Sequence, residues 1–175
     1  AEINQAFFSS FDLLFEKMKD PFGGNSFCAF KVWGPGKTAK IQCDFSAMIS
    51  ARMFRSLAQP YFIEQCNFLD YSLYHLDGTT ALQHVDPLLE IPGLNAIEWT
   101  PQAGKPGGGS PEWYDLYRRI KEGGKGVQVL VDHPTEVLPL LDAIGPKGTF
   151  LLMTKATPRK EAETLMKAIE PYYRK

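Results

Sequence analysis

The chain has 175 residues, of which 44% are hydrophobic and 22% are charged, and its formal net charge is −1. These fractions are ordinary for a globular protein with a sizeable core, and they predict one domain over residues 1–175. A near-neutral chain without a Lys/Arg run predicts no nucleic-acid partner and no basic membrane face, and its apolar stretches are too short for a membrane span.

The N-terminal residues AEINQAFFSS lack the basic segment followed by an apolar segment that is typical of a signal peptide. Cys28, Cys43 and Cys66 are odd in number, and they form neither a CxxC pair nor a zinc-ribbon spacing. Buried free thiols in a reducing compartment are the simpler interpretation of such cysteines. We therefore expect a cytoplasmic protein.

The first half of the chain carries helix and strand signals in turn. Apolar residues at i, i+3 and i+4 spacing from Phe7 to Met18 predict a helix. Ser50 is predicted to cap a second helix, which Pro60 must break or restart because proline lacks an amide donor. Three strands are predicted in this half: Ser26–Trp33, Lys40–Phe45 and Tyr71–Leu76.

The second half repeats the same alternation. Three further strands are predicted: Leu94–Trp99, Gly126–Val131 and Thr149–Met153. Helices are predicted after Thr79 or Thr80, after Ser110, over Val137–Ile144 and after Thr157. Ser110-Pro111-Glu112 combines an N-cap, a first-turn proline and a first-turn acid, which is typical of a helix start.

Strand followed by helix, several times over, predicts βαβ units and a parallel sheet. The strands are almost continuously apolar, as expected where both faces of a sheet are covered. A closed eight-stranded barrel needs about 250 residues, so this chain is either part of one or an open, partial sheet. We favour the C-terminal portion of a TIM-type (β/α)8 barrel, a fragment of a larger chain, and expect its exposed edges to make it a homo-oligomer.

Polar or ionisable residues follow five successive strands. In chain order they are Asp44; His75 and Asp77; Glu98 and Trp99; Asp132 and His133; Thr154 and Lys155. Ligands of parallel α/β folds bind outside the carboxyl ends of the strands, so we expect a functional rim there. The alternative is that strand ends are polar simply because they meet solvent.

His75 and Asp77 are two residues apart on a strand, so both side chains point to the same side. They could be a metal pair, an acid/base pair, or a histidine held by a carboxylate. The glycine loop (residues 103–110) lacks the GxxxxGK[ST] pattern, because Lys105 precedes a proline, and we expect a mobile loop over the site instead. No GxSxG motif supports a hydrolase triad.

Several segments in sequence order resemble uroporphyrinogen decarboxylase-like proteins, a superfamily that includes corrinoid and coenzyme M methyltransferases. They are IQCDFSAMISARMFRSLAQPYF, YHLDG, AIEWTP, GKGVQVLVD and TFLLMTKATPRKEAETLMKAIEPYY. The resemblance extends over most of the chain from about Trp33, and ISARMF and YHLDG are its most specific parts. It implies a (β/α)8 barrel, in agreement with the strand and helix pattern.

The resemblance implies either tetrapyrrole decarboxylation or corrinoid-dependent methyl transfer in the parent protein. The zinc methyltransferases carry an H-x-C pair and a cysteine after the last strand, whereas this chain has Asp77 as the second residue and Thr154-Lys155 after the last strand. Zinc is therefore implied only in an altered site built on His75 and Asp77. The essential arginines and aspartate of the decarboxylases are expected in the N-terminal half of the barrel, outside this chain, and Lys155 and its neighbours offer no histidine like that of the decarboxylases' Gly-His-Gly turn.

The residues expected to be catalytic are His75, Asp77 and Asp44. Those expected to bind substrate are Glu98, Trp99, Asp132, His133 and Lys155. The implied partners are a small-molecule substrate, either a tetrapyrrole or a methyl donor, and a corrinoid protein in the second case. The alternative is a non-catalytic ligand-binding or assembly domain that has lost the family chemistry.

Overall fold

The computed structural model describes residues 2–27 and 29–174. The helices are α1 Glu2–Met18, α2 Ala51–Leu57, α3 Gln59–Phe68, α4 Val85–Leu89, α5 Tyr114–Glu122, α6 Val137–Ile144 and α7 Arg159–Tyr173. The strands are β1 Asn25–Phe27, β2 Val32–Gly34, β3 Thr38–Ile41, β4 Tyr71–Asp77, β5 Ala96–Thr100, β6 Gly126–Val131 and β7 Thr149–Met153. Cys28, one of the predicted free thiols, lies outside the described residues.

The strands form a two-stranded sheet of β1 and β2 and a five-stranded sheet in the order β3-β4-β5-β6-β7. β3 pairs in parallel with β4, and β6 pairs in parallel with β7. The fold is therefore mixed α/β, with a five-stranded parallel sheet flanked by helices, and the predicted βα units are present. The chain divides into two compact units: the first comprises Ala1–Leu76 and Thr80–Ala96, and the second Asp77–Thr79 and Ile97–Lys175.

Local signals explain most element boundaries. The Ser50 hydroxyl accepts a hydrogen bond from the amide of Met53 at 3.2 Å, so the predicted cap of α2 is confirmed. Pro60 lies in the first turn of α3, where a missing amide donor costs least. The prediction of one strand over Ser26–Trp33 is wrong, because this segment forms the antiparallel β1–β2 hairpin.

The first unit packs aromatic side chains between helices and sheet. Phe54 on α2 stacks against Phe62 on α3 at 5.9 Å between ring centroids, and Phe62 meets Tyr74 of β4 edge-on at 5.4 Å. On the N-terminal helix α1, Phe8 stacks on Phe68 of α3 at 4.3 Å. These contacts fix α3 between α1 and β4, so that every second residue of β4 faces the helices.

The second unit has an aliphatic core between β6 and α5–α6. Val127, Val129 and Val131 of β6 alternate along one face and are at most 2% exposed. On the facing helices, Ile120 and Leu140 are fully buried. This core holds the carboxyl end of β6 in place. Within residues 2–27 and 29–174, no helix combines the length and the apolar character that a membrane span requires.

Candidate functional site

The carboxyl end of β3 carries a row of hydrogen-bonded polar side chains on every second residue. The Lys40 ammonium donates to the side-chain oxygen of Gln42, and the Gln42 amide donates to a carboxylate oxygen of Asp44 at 2.8 Å. Alternate residues of an extended chain point to the same side, which explains why these three meet. The row links a cation to a carboxylate through a neutral amide. With His75 it is called here the β3–β4 cluster.

Aromatic rings surround the cationic end of this cluster. The Lys40 Nζ atom lies 5.9 Å from the ring centroid of Phe27 and 5.5 Å from that of Phe30. The His75 ring lies against the same Phe30, with 5.0 Å between ring centroids. The contacts of Lys40 are thus an amide oxygen and two ring faces, not a carboxylate. A half-buried ammonium in such surroundings can attract an anion or interact with a ring face.

His75 and Asp77 occupy the more exposed side of β4. Tyr74 and Leu76 are buried, whereas His75 is half-buried and Asp77 is exposed. The alternation confirms that His75 and Asp77 share one side of the strand, as predicted. His75 belongs to the first unit, and Asp77 begins the second.

The β6–β7 cluster lies at the carboxyl ends of β6 and β7. Asp132 accepts a hydrogen bond from the Thr154 hydroxyl and pairs with Lys155, whose Nζ atom is 3.0 Å from Oδ2. The hydrogen bond from Thr154 is the main reason that the pKa of Asp132 lies below its ordinary value, followed by the hydrogen bond from Lys155. The structure therefore brings together Asp132 and Lys155, two of the predicted rim residues.

Glu136 orients the backbone of the same cluster. Its Oε2 atom accepts from the amide of Asp132 at 2.7 Å and from the amide of His133 at 3.2 Å. This carboxylate thus caps the chain as it leaves β6, with α6 following directly. The His133 side chain is exposed beside it. Glu136 was not among the predicted site residues, although an acid three residues after a candidate cap residue is a recognisable signal.

The second half of the glycine loop is held in place, although the sequence led us to expect a mobile loop. The Trp113 indole donates to the Pro106 carbonyl at 3.1 Å, and the Tyr117 hydroxyl donates to the Gly108 carbonyl at 2.7 Å. A β-carbon on Gly107 would lie 3.5 Å from Oδ2 of Asp132, so the loop passes directly beside that carboxylate. The loop is part of the wall of the β6–β7 cluster.

Glu98 and Trp99, both predicted to bind substrate, are fully buried in β5. Glu98 accepts a hydrogen bond from the Thr100 hydroxyl at 2.8 Å. Trp99 packs edge-on against Trp113, with 5.2 Å between ring centroids. Trp99 is thus a core side chain, and Glu98 is a buried carboxylate with a hydroxyl partner.

Zinc was implied by the resemblance to methyltransferases, with His75 and Asp77 as ligands. In the described part of the chain, no three His, Cys, Asp or Glu side chains are grouped so that they could hold a metal ion. The donor set there does not fit a zinc site of the kind found in methyltransferases, which needs at least three protein ligands.

Lys40 and Gln42 of the β3–β4 cluster, like Glu136 of the β6–β7 cluster, were not among the predicted site residues. Both lie within the predicted strand Lys40–Phe45, although β3 ends at Ile41, and the alternation of polar residues at 40, 42 and 44 was the signal that could have identified them. Comparisons with protein-family models, curated proteins and solved structures gave no match for this chain. The β3–β4 and β6–β7 clusters are therefore interpreted from their own chemistry.

Proposed function

We propose that this chain is the C-terminal portion of a TIM-type (β/α)8 barrel enzyme of the uroporphyrinogen decarboxylase-like type. The strand order supports this proposal, because β3 to β7 follow one another in the sheet as they do in the chain. Barrels place consecutive parallel strands side by side, whereas doubly wound sheets reverse their order at a switch point. The parallel pairing of β3 with β4 and of β6 with β7 supports it too.

The proposed reaction removes a carboxyl group as carbon dioxide from a side chain on a flat, electron-rich ring. A proton adds to a ring carbon, and the bond between the side-chain carbon and the carboxylate carbon then breaks, so that its electron pair neutralises the ring by forming a double bond to the side-chain carbon. The side-chain carbon takes up a second proton, and the first proton leaves the ring, so that one proton replaces the carboxyl group. Such a reaction needs a cation for the substrate carboxylates, a carboxylate that stabilises the protonated ring, and a proton donor.

The row Lys40–Gln42–Asp44 beside Phe30 and His75 is the observation that carries this proposal. Lys40 would hold a carboxylate of the substrate, since an ammonium on a flexible stem suits such an anion. Asp44 would accept ring N–H groups and stabilise positive charge on the ring. His75 would supply the proton, because imidazole is the side chain most often used as a general acid.

We favour decarboxylation over methyl transfer because of the donor set. Asp77 and Thr154-Lys155 stand where the methyltransferases carry cysteines, and no metal-binding group of three ligands occurs among the described residues. Decarboxylation by proton transfer requires only the acids, bases and cation that the β3–β4 cluster contains.

The test measures binding of coproporphyrin, a flat ring bearing four carboxylates, by fluorescence quenching, and turnover of uroporphyrinogen by product chromatography. Lys40→Met should weaken binding by at least about tenfold, the size of one hydrogen bond to a charged group. Lys19→Met is the matched control, because Lys19 also lies 5.9 Å from a phenylalanine ring but pairs with Glu16 outside the cluster. It should leave binding unchanged.

Equal binding by Lys40→Met and wild-type protein would contradict the proposed role of the cluster. The alternative function, a non-catalytic ligand-binding domain, predicts binding without turnover, and a His75→Ala variant that behaves as wild type in both assays. Decarboxylation by the wild-type chain that His75→Ala abolishes would exclude that alternative.

We also infer a cytoplasmic location and self-association as parts of this proposal. Cys43 and Cys66 are free thiols, which suits a reducing compartment. A barrel portion leaves strand edges without neighbours, and a second copy could cover them.

A further inference from the structure

A buried histidine lies beneath the 3₁₀ turn Asp44–Met48, which is called here the Asp44 turn. His84 is 0% exposed, and its ring stacks on Phe54 at 4.7 Å between centroids. Its Nε2 atom lies 2.7 Å from the backbone carbonyl oxygen of Ser46. A carbonyl can only accept, so Nε2 carries the hydrogen and donates it to the turn.

The other ring nitrogen of His84 shows what the histidine contributes. Nδ1 is buried and has no hydrogen-bond partner among the described residues. A phenylalanine would fill the same space against Phe54 without burying a bare nitrogen. The advantage of histidine at this position is therefore its hydrogen bond to Ser46, which a hydrocarbon side chain cannot make.

Tyr74 holds the same turn from β4. Its hydroxyl lies close to the side chain of Ser46 and the backbone of Cys43, the residue that precedes Asp44, and hydrogen bonding to both lowers its pKa, although burial outweighs this effect. Burial is the main reason that the pKa of Tyr74 is raised, so the phenol stays neutral at physiological pH. The turn needs such support, because Cys43 at its N-cap makes no side-chain capping hydrogen bond.

We propose that His84 is a positioning residue. Its hydrogen bond to the Ser46 carbonyl holds the Asp44 turn in place, and the position of this turn determines where the Asp44 carboxylate lies. The consequence for catalysis rests on the role proposed above for Asp44, but the placement of Asp44 can be tested without it. Asp44 itself is exposed, and among the described residues Gln42 is the hydrogen-bond partner of its side chain, so its position depends on the backbone of the turn. A misplacement of about 1 Å in a catalytic group can lower a rate by about 100-fold.

The experiment compares His84→Phe, His84→Gln and Tyr74→Phe in the full chain. Glutamine places an amide nitrogen where Nε2 stands and can restore the hydrogen bond, whereas phenylalanine keeps only the packing. The first readout is the ¹³C resonance of the Asp44 side-chain carboxyl group, identified by its loss in Asp44→Asn. The second is the separate effect on kcat and KM for uroporphyrinogen.

We expect His84→Phe to shift the Asp44 resonance and to lower kcat by about 100-fold with KM nearly unchanged. His84→Gln should return both towards wild type, and Tyr74→Phe should shift the resonance in the same direction. If His84→Phe does not fold by circular dichroism, the other two variants decide the question.

An unchanged Asp44 resonance in Tyr74→Phe and in a folded His84→Phe would overturn the inference. The inference would also be overturned if the Asp44 resonance in His84→Gln were shifted as far from wild type as in His84→Phe. If His84→Phe does not fold, the comparison is made with the resonance in Tyr74→Phe instead. The Asp44 resonance could shift in His84→Phe and return in His84→Gln although the wild-type chain shows no turnover. That result would support the positioning role of His84 and reject the proposed decarboxylation, so a failure of one hypothesis can be distinguished from a failure of the other.

Discussion

The contact between the glycine loop and β6 gives a prediction whose size follows from the geometry. A β-carbon on Gly108 would lie 2.5 Å from the carbonyl oxygen of Leu130. An ordinary carbon–oxygen contact is about 3.3 Å, so in Gly108→Ala the loop must retreat by about 0.8 Å. The same retreat stretches the hydrogen bond of 2.7 Å between the Tyr117 hydroxyl and the Gly108 carbonyl. Overpacking of this kind costs about 1–3 kcal/mol and a lost hydrogen bond about 1 kcal/mol, so we expect a loss of about 2–4 kcal/mol.

The assay is urea denaturation followed by tryptophan fluorescence, since Trp113 anchors the same loop. Gly107→Ala is the matched control, because its β-carbon would meet Asp132 at 3.5 Å, an ordinary contact. We expect this neighbour to stay within about 1 kcal/mol of wild type. If the two alanine variants lose the same free energy of unfolding, the close approach of Gly108 to β6 is not what holds the loop.

Two further predictions concern the β6–β7 cluster and the edge of β3. Thr154→Val should raise the pKa of Asp132, measured by carboxyl NMR titration, because the hydroxyl hydrogen bond is the largest single cause of the lowered pKa. A folded pKa below 3.8 means that the carboxylate contributes stability above that pH and loses it as the pH falls through the folded pKa. Acid unfolding should therefore begin at higher pH in Thr154→Val, and an unchanged pKa of Asp132 in this variant would contradict the reasoning. Asn25→Ala should cost about 2–4 kcal/mol in urea denaturation, because it leaves both the amide and the carbonyl of Thr38 without their partner in a buried setting. A loss below about 1 kcal/mol would show that other groups replace that partner.

The sequence predicted the second half of the fold more accurately than the first. β6, α6 and β7 have the predicted bounds, and glycines mark three of these ends, because Gly126 begins β6, Gly145 follows α6 and Gly148 precedes β7. The β1–β2 hairpin was missed because its turn carries no Asn-Gly or Asp-Gly signal. The turn instead contains Lys31 at φ 53°, a conformation that non-glycine residues adopt infrequently.

The position of a site residue could be predicted from the sequence where it depends only on which strand the residue follows. Asp132 and Lys155 follow Val131 and Met153, which are partners in the parallel register, so their meeting follows from the strand assignments. Trp99 could not be placed in the same way, because a residue at the end of an apolar strand may face either the core or the rim. Its contact with Trp113 depends on how α5 packs, which no local pattern encodes.

The two edge strands of the five-stranded sheet differ in a way that bears on the barrel proposal. At β3, the Asn25 side chain both donates to the carbonyl of Thr38 and accepts from its amide, and so it substitutes for a neighbouring strand. At β7, the last strand in the sheet order, Phe150 is 44% exposed. A globular protein ordinarily protects an apolar edge strand, whereas in a closed barrel the next strand pairs with it. The exposed Phe150 at β7 fits the barrel proposed above, in which a further strand would cover this edge, whereas the Asn25 contact at β3 counts against a further strand pairing there.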